Sequence, residues 1–157
     1  MPPRTEHTAW IQQTAFAYGV RFEVLEAMVL VESSGQADAF RFEPAFYRRY
    51  IKNNPTAKAA QYGPLAACSY GLLQIMLEVA YEEGYTGRPE GLFVPRVGLA
   101  FGAKHFAGLL TWAGGDERKA LAAYNGGKGA TTTIPYRTEA YVVKVFDRVV
   151  LPGSLDA

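Results

Sequence analysis

The sequence predicts a mainly α-helical single domain with room for one very small β element. Three observations carry this. The chain has 157 residues, and 49% of them are hydrophobic against 20% charged, which suits one ordinary packed core. Apolar residues recur at helical spacings through most of it, while strict strand alternation is scarce. Glycine and proline punctuate those runs without forming a domain-sized linker, and no regular repeat appears. The domain spans residues 1–157, with 1–6 and 152–157 read as terminal extensions.

The elements follow in order. After a polar, proline-containing lead-in, "HTAWIQQTAFAYG" carries Trp10 and Ala17 at helical spacings and breaks at Gly19. "VRFEVLEAMVLVES" is the clearest helix: Leu25, Met28 or Val29, and Glu32 share a face, leaving Glu23 and Glu26 to water. Gly35 can supply the backbone conformation that closes it. Asp38 through Pro44 reads as a loop or very short strand, followed by a helix through Tyr47, Tyr50 and Ile51. Pro55, Gly63 and Pro64 then mark another loop. Helical spacing resumes over Leu72–Glu83 and Val97–Trp112. Asp116 is placed to cap "ERKALAAYN", which ends at Gly126 and Gly127. A last helix covers about Thr138–Val149, with Pro152 beyond its end.

Composition excludes several functions. The formal charge is +1, too small for long-range attraction to nucleic acid or anionic lipid. The basic aromatic patch "YRRYIK" lacks a wider nucleic-acid-recognition pattern and reads as a solvated helix face. Cys68 is the only cysteine, so no internal disulfide can form, and its small apolar neighbours suggest a buried thiol. No apolar segment is long enough to span a bilayer, and "MPPRTEHTAW" lacks the pattern of a cleavable export signal. His7 and His105 are far apart without metal-ligand spacing, and both read as structural or solvent-facing. "AYNGGKGATTT" fails as a phosphate loop, because Ala122 stands where the first glycine is required and Gly129 follows Lys128. There is no nucleophile elbow and no cysteine-pair metal motif. The expectation is a monomer that needs no metal or organic cofactor.

One residue stands out against this background. In "VLVESSGQ", Glu32 shares its face with apolar residues at the C-terminal end of a helix. The helix dipole there opposes a negative charge, and apolar surroundings make ionisation costly. Both effects help Glu32 keep a proton near neutral pH, as a general acid must. Taken alone, the residue reads more readily as a solubilising glutamate turned outward.

Three distant segments change that balance: "SYGLLQI" at Ser69–Ile75, "AYNGG" at Ala123–Gly127 and "TEAYVVKV" at Thr138–Val145. With "VESSG", their order and separation resemble the signatures of the lytic transglycosylases of the lysozyme superfamily, across Val31 to Val145. The resemblance implies a lysozyme-like helical fold, a central glycan-binding cleft and cleavage of bacterial peptidoglycan with formation of 1,6-anhydromuramoyl ends. Glu32 matches the catalytic glutamate of that family's "ES" motif. Ser69, Gly71 and Gln74 match the motif in which a serine precedes "GLMQI", with Leu73 replacing the usual methionine. Tyr124 and Asn125 match its "AYN" cleft residues. Tyr141 matches the tyrosine of a C-terminal "ET…YV" signature, although Thr138–Glu139 reverses the first two residues. The implied roles are catalytic for Glu32, Tyr141 and Ser69, and substrate-binding for Gln74, Tyr124, Asn125 and Gly71.

Two other readings stay open on the residues alone. A hydrolytic muramidase would add Asp38 or Glu43 as a second carboxylate across the cleft, although Glu43 can also pair with Arg41. An inactive peptidoglycan-binding module would keep the aromatic cleft and lose the catalytic geometry. The run "FRFEPAFYRRY" resembles a stretch of phage-associated cell-wall enzymes. Its Phe40, Phe42, Phe46, Tyr47 and Tyr50 either pack around a structured turn or line a sugar cleft, with Arg48 or Arg49 then meeting acidic peptide stems. An endolysin or virion-associated role fits that stretch, with accumulation in a host cytoplasm before release to the wall.

Overall fold

In the computed structural model, which describes residues 4–151, α1 (Thr8–Tyr18) stops where Gly19 takes φ 67°. Its successor α2 (Phe22–Ser33) buries Val24, Leu25, Glu26, Ala27, Met28 and Val29 without interruption. A helix apolar on several sides is one enclosed by its neighbours, and α2 is the central strut of the molecule. This enclosure corrects one sequence expectation: Glu26 does not face water but is 5% exposed, with its carboxylate 3.1 Å from the Arg4 guanidinium. Burial pushes its pKa up against the opposing pull of Arg4. Arg4 belongs to the lead-in read as an extension; residues 1–3 and 152–157, including Pro152, lie outside the described residues.

α2 ends at Ser34, whose φ of 53° turns the chain, and Gly35 follows at φ 78°. The strand β1 (Phe40–Phe42) then pairs antiparallel with β2 (Cys68–Tyr70), which pairs antiparallel with β3 (Ile75–Met76). The register sets Ser69 between Arg41 on one side and Met76 on the other. Between β1 and β2 run the short α3 (Pro44–Phe46), a π-helical turn over Tyr47–Ile51 and a 3-10 segment over Ala60–Ala67 broken at Gly63. After β3 come α4 (Leu77–Glu82), a 3-10 turn at Pro89–Phe93, and α5 (Pro95–Trp112). α6 (Glu117–Gly126) is capped by the Asp116 carboxylate, which accepts from the Lys119 amide as the sequence suggested. A 3-10 turn over Lys128–Thr131 precedes α7 (Glu139–Asp147), shorter than the expected Thr138–Val149. Among the described residues, no helix is long and apolar enough to cross a membrane.

The helix expected from Leu72 begins five residues later, at Leu77. Gly71–Gln74 forms a turn instead, with Gly71 at φ 75° and Gln74 at φ 50°. Helical spacing misled here because a short apolar run buried on all sides has no periodicity to display. Leu72 and Leu73 are buried because the turn plugs into the helical core rather than because it is helical. Gly71 is required twice over: a Cβ there would sit 2.6 Å from the Leu92 carbonyl oxygen, besides the strain of its positive φ. Gly102 on α5 leaves the matching hollow, since its Cβ would meet Leu73 at 2.7 Å.

Two apolar cores result. One gathers α1, α2, α5, α6 and α7 around Leu25, Met28, Leu99, Phe106, Leu121 and Val142. The other lies under the sheet, around Ile51, Tyr70, Ile75, Leu77 and Leu92, and includes the buried Cys68 thiol. Ser33 ties the end of α2 to the 71–74 turn: its hydroxyl lies 2.9 Å from the Leu72 carbonyl and 3.0 Å from that of Val29. Glu78 performs the same service in the second core. Its carboxylate accepts the Ala59 amide at 2.7 Å and the Lys58 amide at 3.1 Å. Glu78→Ala leaves the buried Ala59 amide without a partner and should cost about 1–3 kcal/mol in urea denaturation, with Glu78→Gln losing less. Equal stability of Glu78→Ala and the parent would show that these bonds contribute nothing.

Candidate active site in the cleft between the two cores

Side chains from both cores line a cleft of about 870 Å³. Five of the residues singled out from the sequence meet there: Glu32, Ser69, Gln74, Tyr124 and Asn125. They come from the end of α2, the sheet, the 71–74 turn and the end of α6, so the fold gathers what the chain holds far apart. Glu43 and Arg41 also reach the cleft, paired at 3.2 Å. Asp38 is exposed and does not line it.

Glu32 has the most perturbed carboxyl of the cleft. Burial is the main cause and pushes its pKa up to about 8; Arg41 opposes this and Glu43 reinforces it. The sequence argument foresaw the direction from apolar surroundings. Two phenols, Tyr124 on the cleft wall and Tyr141 off its lining, stand near enough to Glu32 to feel its charge. Burial holds those of Tyr124 and Tyr141 well above the usual tyrosine range, and the charge of Glu32 adds to both shifts. Both therefore remain neutral O–H groups at physiological pH. Tyr124 spends its proton on the Leu73 carbonyl at 2.6 Å. Tyr141, 7% exposed on α7, has the one buried side-chain polar atom without a hydrogen-bond partner among the described residues.

The remaining residues divide into committed and free groups. Gln74 donates its amide to the Ala39 and Gly71 carbonyls, 3.0 Å each, and so holds the loop that forms one cleft wall. Gly71 does not line the cleft; its missing side chain serves the Leu92 carbonyl instead of a ligand. Ser69 sits 6% exposed with its hydroxyl 3.1 Å from the Met76 sulfur, a weak acceptor that a better partner can replace. Asn125 is exposed, and its side-chain amide is uncommitted among the described residues.

Of the aromatic run, Phe46 and Tyr50 line the cleft and pack at 4.8 Å, with the Arg49 guanidinium 5.2 Å from the Tyr50 ring. Phe40 packs edge-on against Tyr70, and Phe42 against Tyr47; Phe40, Phe42, Tyr47 and Arg48 do not line the cleft. His105, read from the sequence as structural or solvent-facing, pairs with a carboxylate at the cleft wall. It lines the cleft, with Nδ1 3.2 Å from Glu83 and its ring 5.7 Å from that of Tyr124. Nothing local could have found it: α5 carries it beside residues distant in sequence, and no spacing motif marks it.

Residues 9–140 match the family described as the transglycosylase SLT domain. The chain belongs to that family. Among solved structures, this SLT domain is similar to an inactive mutant of the lytic transglycosylase Slt from Pseudomonas aeruginosa. That match has 22% identity and a TM-score of 0.69, covering 94% of this chain and 24% of that one. The SLT domain thus corresponds to about a quarter of that protein's length. It is also similar to the Burkholderia AP3 phage endolysin, at 19% identity and a TM-score of 0.50, over 95% of this chain and 72% of that one. Both likenesses are of fold. No curated protein gives a significant match.

The raised pKa of Glu32 makes a prediction about stability. A carboxyl whose folded pKa exceeds its unfolded value binds its proton more tightly in the native state. The stability this provides is full below about 4.5 and is lost as pH rises to about 8. Glu32→Gln, neutral at every pH, should therefore match the parent near pH 4.5 and exceed it at pH 8 by roughly 2–4 kcal/mol. Denaturant titrations at the two pH values check this; a constant difference would mean that the carboxyl is solvated.

Proposed function

We propose that this SLT domain cleaves the β-1,4 bond between N-acetylmuramic acid and N-acetylglucosamine of bacterial peptidoglycan, leaving a 1,6-anhydromuramoyl end. The observation that carries the reading is a carboxyl kept protonated near neutral pH by burial, on the wall of a cleft with room for sugar rings. Membership of the transglycosylase SLT family supports the same substrate.

Glu32 serves in turn as acid and base. Its proton passes to the departing glycosidic oxygen as the bond to the anomeric carbon breaks. The N-acetyl oxygen of the muramoyl residue closes onto that carbon, and the resulting oxazolinium carries the positive charge. The Glu32 carboxylate then takes the proton of the muramoyl 6-hydroxyl, whose oxygen attacks the same carbon and displaces the N-acetyl oxygen. Glu32 ends protonated, and water is neither added nor lost. Because the nucleophile is tethered to the reacting sugar, a second enzyme carboxylate is not needed. The pairing of Glu43 with Arg41, and the position of Asp38 away from the cleft, favour this route over a hydrolytic one.

The free groups around Glu32 suit this chemistry. The unpartnered Tyr141 hydroxyl, buried and off the cleft lining, suits donation to the Glu32 carboxylate from the protein side, and Ser69 can turn from Met76 to the N-acetyl portion of the sugar. Asn125 offers a donor and an acceptor at the cleft edge. Tyr124 and Gln74 act on the substrate through the walls they brace, with their faces rather than their hydrogen-bonding tips.

Mass analysis of products from purified peptidoglycan tests the proposal. Anhydro-ended fragments should form, and Glu32→Gln should lower their rate by about 10²–10⁴-fold. The rate of the parent should fall as pH rises through about 8, where Glu32 loses its proton. Glu43→Gln should retain turnover and move that alkaline limb to lower pH, because Glu43 raises the pKa of Glu32. Reducing-end products heavier by one water, abolished by Glu43→Gln, would overturn the mechanism in favour of hydrolysis.

A further inference from the structure

Beyond the cleft, one exposed cluster has no part in the reaction above. Trp112, 39% exposed at the end of α5, has the Lys119 ammonium 4.9 Å from its ring centroid and the Lys128 ammonium 5.1 Å from it. The two cations therefore lie within about 10 Å of each other. Neither forms an ion pair with a carboxylate among the described residues. An indole attracts cations through its electron-rich face, but it leaves their net charge and their mutual repulsion uncompensated. An anion received between them relieves both.

The position of the cluster identifies that anion. α5 and α6 are joined by the short turn 113–116 and pack side by side as antiparallel neighbours. On α5, Trp112 follows the cleft residue His105 by seven positions; on α6, Lys119 precedes the cleft residue Gly126 by seven. Seven residues are two helical turns, which return to the same face about 10 Å along the axis. The faces that form the cleft wall thus continue, on both helices and by the same distance, into Trp112 and Lys119. Lys128 adjoins the cleft residue Gly127 directly.

We infer that Trp112, Lys119 and Lys128 form a carboxylate-binding subsite that continues the cleft, where a stem peptide of the bound glycan strand is held. The inference rests on the proposed substrate. Peptidoglycan fits the cluster because its stems place carboxylates at intervals along a neutral sugar chain, so a strand leaving the cleft along α5 and α6 brings an anion to the two ammoniums.

Adsorption to insoluble peptidoglycan tests this without turnover, using the full chain carrying Glu32→Gln as the parent. Adding Lys119→Gln and Lys128→Gln should weaken its adsorption to stem-bearing peptidoglycan by about 3–10-fold, the scale of two exposed charge contacts. Adsorption to the same peptidoglycan with its stem carboxylates capped as neutral amides by carbodiimide coupling should change less than twofold. The loss should shrink as salt is raised, since exposed charges are screened. Circular dichroism and melting of the double variant confirm that these surface changes leave the fold intact. Unchanged adsorption, an equal loss on the amide-capped material, or no adsorption of the parent to either material would overturn the subsite. Product analysis of the unsubstituted chain separately tests the cleavage reaction, so failure of one reading is distinguishable from failure of the other.

Discussion

The withdrawal of the Glu32 carboxyl from water is the constraint on which the other features of the site depend. It follows from where α2 ends. The helix is enclosed along most of its length and stops at the seam of two apolar cores, so its last turn emerges into the cleft rather than into open solvent. Desolvation outweighs the Arg41 charge, and a glutamate that would be ionised on a surface keeps its proton near neutrality.

The seam itself is built from small polar devices at positions where the backbone must turn. Ser33, next to the carboxyl, bonds back to its own helix and across to the 71–74 turn, which fixes the last turn of α2 against the sheet. Gln74 fastens the same turn to Ala39, and Tyr124 fastens it to α6. Leu73 seats it in the hollow left by Gly102. Much of what surrounds the carboxyl therefore supports walls. Tyr141 and Asn125 are left with unspent hydrogen-bonding capacity, and Ser69 holds only a weak bond to sulfur. That division is what the proposed reaction requires: rigid walls limit solvent at the acid, while a few free donors meet a sugar that arrives from outside.

Charge around the cleft is distributed rather than piled up. Arg41 and Glu43 act in opposite directions on Glu32 while paired with each other, so each moderates the other's influence. Cations without a carboxylate partner among the described residues stand on Arg49 against Tyr50, within the cleft, and on the lysines around Trp112, beyond it. A net charge of only +1 thus conceals local positive sites without giving the long-range attraction that would draw nucleic acid.

Sequence determined what local patterning can carry. The amphipathic runs of α1, α5 and α6 were legible because their faces repeat, and their ends were legible at Gly19, Asp116 and Gly127 because capping chemistry is local. Four separated motifs brought Glu32, Ser69, Gln74, Tyr124 and Asn125 forward together, and the direction of the Glu32 shift followed from apolar neighbours at a helix end. Tertiary structure decided the rest. It turned Glu26 inward because Arg4 could meet it, and it made a turn of Gly71–Gln74 because burial on all sides erases periodicity. It left Asp38 outside the cleft and brought His105 into it. Proximity across packed helices and the depth of burial of a single carboxyl are properties of the assembled core. No segment carries them alone, because desolvation is a sum over neighbours that only the completed fold brings together.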